Sequence, residues 1–100
     1  MKHVIRLRAE AESDLRAALA WYEREREGLG EELLADLNST FAAMAESPTS
    51  FPMVLPPFRR ALLARFPYAV YFRESDESAL VFAVFHARRD PGDLQRKLAK

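Results

Sequence analysis

The chain has 100 residues, 49% of them hydrophobic, no cysteine and a formal net charge of zero. This length fits one domain, which we place over residues 1–100, and the lack of cysteine excludes disulfides and is typical of a reducing compartment. Zero net charge argues against a protein that binds mainly nucleic acid, because neutralising phosphates requires a basic excess. We find neither a signal-peptide core nor an apolar run of ~20 residues, so we expect a cytoplasmic protein with no membrane partner.

The first part of the chain predicts a strand and a helix. Residues 2–8 alternate polar and apolar side chains, which is typical of a half-buried strand. Residues 10–27 begin with acidic side chains, where the helix dipole favours negative charge, and continue with apolar residues at helical spacing. The inner stripe of this helix is predicted to be Leu15, Ala18, Leu19 and Tyr22.

A second helix is predicted over about residues 30–46. Gly28 and Gly30 are expected to supply the positive-φ positions that end the first helix and turn the chain. The two helices therefore form an antiparallel hairpin. The core stripe predicted for the second helix is Leu34, Leu37, Phe41 and Met44.

The second half of the chain predicts a proline-rich connection and then three strands. Residues 47–57 contain four prolines, which exclude a helix or an inner strand there. Three short apolar runs follow, at residues 59–65, 66–72 and 79–85. The polar segment 73–78 predicts a hairpin turn, and residues 92–100 form either a short helical turn or a frayed basic tail. The predicted fold class is α+β, in the order β-α-α-β-β-β, with the helical hairpin packed on a small, mainly antiparallel sheet.

The end of the last strand is the candidate functional site. Residues 79–85 are apolar on both faces, as expected of an inner strand, and His86, Arg88 and Arg89 follow directly before Pro91. On a regular strand, His86 shares a face with Leu80, Phe82 and Val84. The second half of the chain carries nine Lys/Arg against five Asp/Glu, whereas the first half carries six against ten. This asymmetry indicates a basic binding face on an acidic scaffold.

Two segments, FRRALLARFPYAVYF and VFHARRDP, together with the order of elements, resemble the RelE/ParE superfamily of type II toxin–antitoxin toxins. The resemblance extends from the first strand to Pro91. Its most specific part is an aromatic-Pro-Tyr strand, an acidic turn, and an apolar strand that ends in His-x-x-Arg-Asp-Pro. This ending resembles the ParE branch more than the RelE branch.

The resemblance implies a toxin that a cognate antitoxin neutralises by wrapping around it as a helix and an added strand. ParE-like toxins poison DNA gyrase without a nuclease centre of their own, and we expect this function, with no cofactor. The residues expected to contact the antitoxin or the target are Trp21, Arg59, Arg60, Arg65, His86, Arg88 and Arg89.

Two alternatives remain open within the superfamily. RelE-like toxins cleave messenger RNA on the ribosome, and in that case the catalytic residues would be Arg65, Tyr68, His86 and Arg88. The chain departs from the RelE pattern, because Ala69 stands where an Arg commonly follows the Tyr, and no Tyr follows the final His/Arg segment. The other alternative is a non-toxic superfamily member that acts as a binding module.

The candidate residues also have plain structural interpretations. His86 is expected to hydrogen-bond to backbone or to a carboxylate such as Asp90, to contact a partner, or to transfer a proton. The arginines either form exposed ion pairs, such as Arg88 with Asp93, or bind a carboxylate or a phosphate in forked geometry. Tyr68 is expected to be part of the core or of a groove wall, or else a catalytic group. Trp21 lies off the inner stripe of the first helix. We predict no metal site, because His3 and His86 are the only histidines.

Overall fold

The computed structural model describes residues 2–88 and 91–99, and within them the chain forms five strands and three helices. The elements are β1 (Val4–Leu7), α1 (Ala9–Glu25), α2 (Leu29–Glu46), β2 (Met53–Leu55), β3 (Phe58–Leu62), β4 (Tyr68–Glu74), β5 (Ser78–His86) and α3 (Pro91–Ala99), with a 3₁₀ turn at Pro48–Ser50. The predicted α+β class is confirmed, and β2 is a strand that the sequence analysis did not predict. None of the helices in the described ranges is long and apolar enough to cross a membrane.

The strands form one mixed sheet in the order β1-β5-β4-β3-β2. β1 is parallel to β5, and the other neighbours are antiparallel. Since β5 lies between β1 and β4, the prediction of an inner strand over residues 79–85 is confirmed. The proline-rich segment contributes only the edge strand β2, because a proline cannot donate a hydrogen bond to a neighbouring strand.

The α1–α2 hairpin packs on one face of the sheet. The inner stripe predicted for α1 is confirmed, because its four residues lie in or against this core. The stripe predicted for α2 is wrong at one position, because Leu34 is 42% exposed whereas Leu33 is 1% exposed. Leu33, Leu37 and Met44 face the sheet, and Leu34 lies about 100° further round the helix.

The turn between α1 and α2 needs its two glycines for different reasons. Gly28 has a φ of 87°, as predicted. Gly30 does not have a positive φ, and this part of the prediction is wrong: Gly30 lies in α2, where an added Cβ would be 3.0 Å from the carbonyl oxygen of Leu19. The carboxylate of Glu23 accepts hydrogen bonds from the N–H groups of both glycines, each at 3.0 Å, and so caps the start of α2.

The opposite face of the sheet carries a second, smaller core under α3. α3 confirms the helical alternative for the tail, and its Leu98 is buried against this face. Lys97 fixes the helix laterally, because its Nζ lies 2.7 Å from a carboxylate oxygen of Asp14 in α1. The core under α3 comprises Ala69, Tyr71, Ala83, Phe85 and Leu98, with Val54, Leu55, Phe58, Phe82 and Leu94 packed against it.

A β-bulge in β5 changes which residues share a face. Tyr71 pairs with Ala83 and Phe72 with Val81, so Phe82 is the extra residue in β5. Val84 therefore joins the hairpin-side core, whereas Phe82 packs on the α3 side. The expectation that His86 shares a face with both Phe82 and Val84 is wrong, because it assumed a regular strand.

Candidate binding site at the end of strand β5

The end of β5 is held in place by β4 and by its own backbone. His86 pairs with Tyr68 across the two strands, and the two rings meet edge to face at 5.2 Å between centroids. The N–H of Ala87 donates to the carbonyl of Pro67 at 2.8 Å. The N–H of Arg88 donates to Nδ1 of His86 at 3.1 Å, so Nδ1 serves as a hydrogen-bond acceptor for the backbone. The structure thus shows the backbone hydrogen bond that was one interpretation of His86.

An aromatic row runs from His86 to α1. The rings of Tyr68 and Tyr22 are 6.1 Å apart, and Tyr22 also contacts Phe66 at 5.2 Å and Trp21 at 4.9 Å, all edge to face. Tyr68 therefore lies between Tyr22 and His86, in the position of a groove wall. Trp21 lies off the inner stripe of α1, as predicted, and is 49% exposed at the end of the row.

Asp36 in α2 fixes the connection between β3 and β4. Its buried carboxylate accepts hydrogen bonds from the N–H groups of Ala64 at 3.3 Å, Arg65 at 2.9 Å and Phe66 at 2.9 Å. These bonds satisfy three successive backbone donors and end β3 before residue 63, short of the predicted end at residue 65. The sequence prediction missed this residue. Its signal was a lone carboxylate directly before Leu37, on the buried side of α2.

Two grooves flank the end of β5, and His86 lines both. The first, which we call the hairpin groove, has a volume of about 260 Å³ and lies between α1 and the sheet. Its lining is Asp14, Ala17, Ala18, Trp21, Tyr68, Val84 and His86. The second, which we call the α3 groove, has a volume of about 340 Å³. Its lining is Val54, Leu55, Arg60, Tyr71, Phe85, His86, Ala87, Leu94 and Gln95.

The two neighbouring arginines of β3 have different environments. Arg59 is largely buried and donates to Glu74 at 3.3 Å and to the carbonyl of Phe51 at 2.8 Å, so its guanidinium ties the 3₁₀ segment to the sheet. Arg60 lies on the opposite side of the strand, in the α3 groove. Its Nε is buried and has no hydrogen-bond partner among the described residues.

The other arginines predicted to contact a partner are more exposed where the structure describes them. Arg65 reaches Glu32 of α2 at 3.3 Å with two thirds of its side chain in solvent, and Arg88 is exposed beside His86. Arg89 lies outside the described residues. The structure therefore brings Tyr68, His86 and Arg88 together, and it places Arg60 and Trp21 in the grooves on either side. Within the described ranges, no three His, Cys, Asp or Glu side chains cluster in a way that suits a metal ion.

The overall fold, a helical hairpin packed on a mixed sheet, has a counterpart among solved structures. The chain is similar to a solved structure titled as the chromosomal ParDE TA system from P. aeruginosa, with a TM-score of 0.75 and 15% sequence identity. The match covers 87% of this chain and 98% of that chain. A comparison with curated proteins gave no match.

The family follows from the sequence itself. The model of the family described as the ParE toxin of type II toxin–antitoxin systems, parDE, matches residues 5–91. The chain therefore belongs to the ParE toxin family, and the predicted ParE branch is confirmed.

Proposed function

We propose that this ParE-family toxin is neutralised by a cognate antitoxin and acts by inhibiting DNA gyrase. The family match over residues 5–91 carries the proposal, because toxins of this family belong to type II toxin–antitoxin systems and the matched residues include the candidate site at the end of β5. The target is the one that the resemblance to ParE-like toxins implies.

The surroundings of the residues that a nuclease would use support binding in preference to RNA cleavage. A ribonuclease centre needs an acid and a base that are free to face one phosphate. Nδ1 of His86 accepts a backbone hydrogen bond, and Tyr68 packs between two rings. The guanidinium of Arg65 forms an exposed ion pair with Glu32 on α2. His86 and Tyr68 are thus engaged by contacts within the chain, whereas the ion pair of Arg65 is exposed.

Two features of the surface support an antitoxin as the partner. Large apolar side chains are exposed on both sides of the molecule, including Trp21 on α1, Met53 on β2 and Leu62 on β3. β2 is an edge strand, so its outer backbone groups are available for an added strand. A segment that folds on binding would cover apolar surface beside the helical hairpin and along this edge.

Induced expression with parallel target assays tests the proposal. We expect growth arrest that co-expression of the antitoxin gene prevents, and we expect the purified toxin to inhibit gyrase supercoiling without cleaving ribosome-bound message. The variant Trp21→Ala should weaken antitoxin binding, whereas Arg16→Ala, an exposed change on the same helix, should not. Message cleavage with intact gyrase activity would assign the RelE-type reaction instead, and unaffected growth would indicate a non-toxic binding module.

A further inference from the structure

The α3 groove contains a guanidinium nitrogen that the fold leaves unpaired. Arg60 lies opposite Tyr71 in the sheet, and its Nε is buried with no hydrogen-bond partner in residues 2–88 and 91–99. Such groups are rare, because a buried donor without an acceptor destabilises the folded chain. A carboxylate that entered the groove from another molecule would pair with the guanidinium group that carries this nitrogen.

The lining of the groove indicates the chemistry of that acceptor. The polar side chains beside Arg60 belong to Tyr71, His86 and Gln95, and no carboxylate is present in the described lining. The rest of the wall is apolar and is formed by Val54, Leu55, Phe85, Ala87 and Leu94. One guanidinium in a small apolar cleft suits a single carboxylate on an aliphatic stem, whereas a nucleic-acid backbone is bound through several cations.

The groove opens toward a surface on which a peptide can lie. Its border is the edge strand β2, which contributes Val54 and Leu55 to the wall. Leu62 lies two residues beyond Arg60, on the same face of β3, and is 60% exposed. A segment paired along this edge would bring alternate side chains over the apolar wall and over Arg60.

We propose that the α3 groove is a subsite for one acidic side chain of the antitoxin, whose carboxylate pairs with Arg60. The apolar neighbours of that acid cover Val54, Leu55 and Leu62. This inference rests on the proposed function, because it takes the antitoxin as the occupant.

The test measures two properties of full-length toxin variants: antitoxin affinity by calorimetry and the melting temperature of the free toxin. Arg60→Met keeps most of the aliphatic stem and removes the charge. Its affinity should fall at least about 30-fold, since loss of one partner of a buried charge pair has an effect of this size. Its melting temperature should stay equal or rise, because an unpaired buried donor is removed. Arg73→Met, an exposed change on the neighbouring strand β4, should alter affinity less than about threefold.

A scan on the antitoxin leaves the toxin unchanged. Each acidic residue of its toxin-binding segment is replaced by the matching amide. One position should lose affinity about as much as Arg60→Met does, and combining the two changes should add little further loss.

Three outcomes would overturn the inference. Unchanged affinity in Arg60→Met, with neutralisation intact, removes the subsite and leaves the proposed function standing. Failure of the wild-type toxin to bind any antitoxin contradicts both the subsite and the proposed function. Binding of a single-stranded RNA oligonucleotide that Arg60→Met abolishes, with antitoxin affinity intact, assigns the groove to nucleic acid.

Discussion

The α1–α2 hairpin contacts β1, β3 and β5 on one face of the sheet, whereas α3 on the other face contacts mainly β5. The largest fully buried side chains, among them Phe72, Leu33 and Leu37, lie on the hairpin face, and there the buried carboxylate of Asp36 accepts three hydrogen bonds from the chain. On the α3 face the core is smaller, β2 and β3 are only half covered, and Nε of Arg60 is unpaired within the described residues. We therefore expect the hairpin face to supply most of the stability, and the α3 face is the surface that we propose for the antitoxin.

The largest expected effect lies in the hairpin core. Leu33→Ala should lower the free energy of unfolding by about 2–5 kcal/mol, because it opens a cavity between α2 and the sheet. Leu34→Ala, at the neighbouring exposed position, should change it by less than about 0.5 kcal/mol. Chemical denaturation measures both, and similar losses at the two positions would contradict the assigned face of α2.

The next effect concerns Asp36. Asp36→Ala leaves three backbone donors without their acceptor and should lower the free energy of unfolding by about 2–4 kcal/mol, which thermal melting reads as a drop of roughly 10 °C or more. Asn38→Ala, an exposed change on the same helix, serves as the control and should have almost no effect. If Asp36→Ala melts like the wild type, the carboxylate does not hold the β3–β4 connection.

A third prediction separates two adjacent arginines. Arg59→Met breaks hydrogen bonds to Glu74 and to the carbonyl of Phe51, so it should lower the free energy of unfolding by about 1–2 kcal/mol. Arg60→Met breaks no such hydrogen bond among the described residues, so it should not lower the free energy of unfolding. Urea denaturation of the free toxin compares the two, and a reversed order would remove the contrast between the faces.

The smallest effect is expected at α3. Leu98→Ala should lower the free energy of unfolding by about 1 kcal/mol, less than Leu33→Ala, because a nine-residue terminal helix can detach locally without unfolding the sheet. Gln95→Ala, a change at an exposed position of the same helix in the open wall of the α3 groove, should leave the free energy of unfolding almost unchanged. A loss at Leu98 as large as that at Leu33 would mean that the two faces contribute equally.

Local patterns were sufficient to predict the fold class and most of the elements, but they missed the edge strand β2 and left the tail open between a helical turn and a frayed end. Alternation identified β1, helical spacing identified α1, and an apolar run ending in His86 identified an inner strand. Long-range geometry was not predictable in the same way. The spacing in α2 fits Leu33 and Leu34 almost equally, so only packing against the sheet decides between them. The bulge at Phe82 arises from strand pairing, and it changes the face of every residue after it.

Only part of the candidate site was predicted, because some of its contacts depend on packing between residues far apart in the sequence. The strand end with Tyr68 and His86 follows from sequence order, since antiparallel neighbours bring these residues together. The hydrogen bonds of Asp36 join residues about 30 positions apart, and a single sequence shows only a carboxylate in a buried stripe. The two arginines of β3 differ only in the side of the strand that each faces. All the predicted partner contacts stay predictions; they were assigned to Trp21, Arg59, Arg60, Arg65, His86, Arg88 and Arg89.

Amide hydrogen exchange of the toxin, free and bound to its antitoxin, tests the difference between the faces most directly. In the free toxin, the amides of Ala64, Arg65 and Phe66 and those of the inner strands should exchange slowly, and those of β2 and α3 should exchange fastest among the structured segments. On antitoxin binding, β2 and α3 should gain the most protection. Gains confined to α2, with β2 and α3 unchanged, would contradict the assignment of the α3 face to the partner.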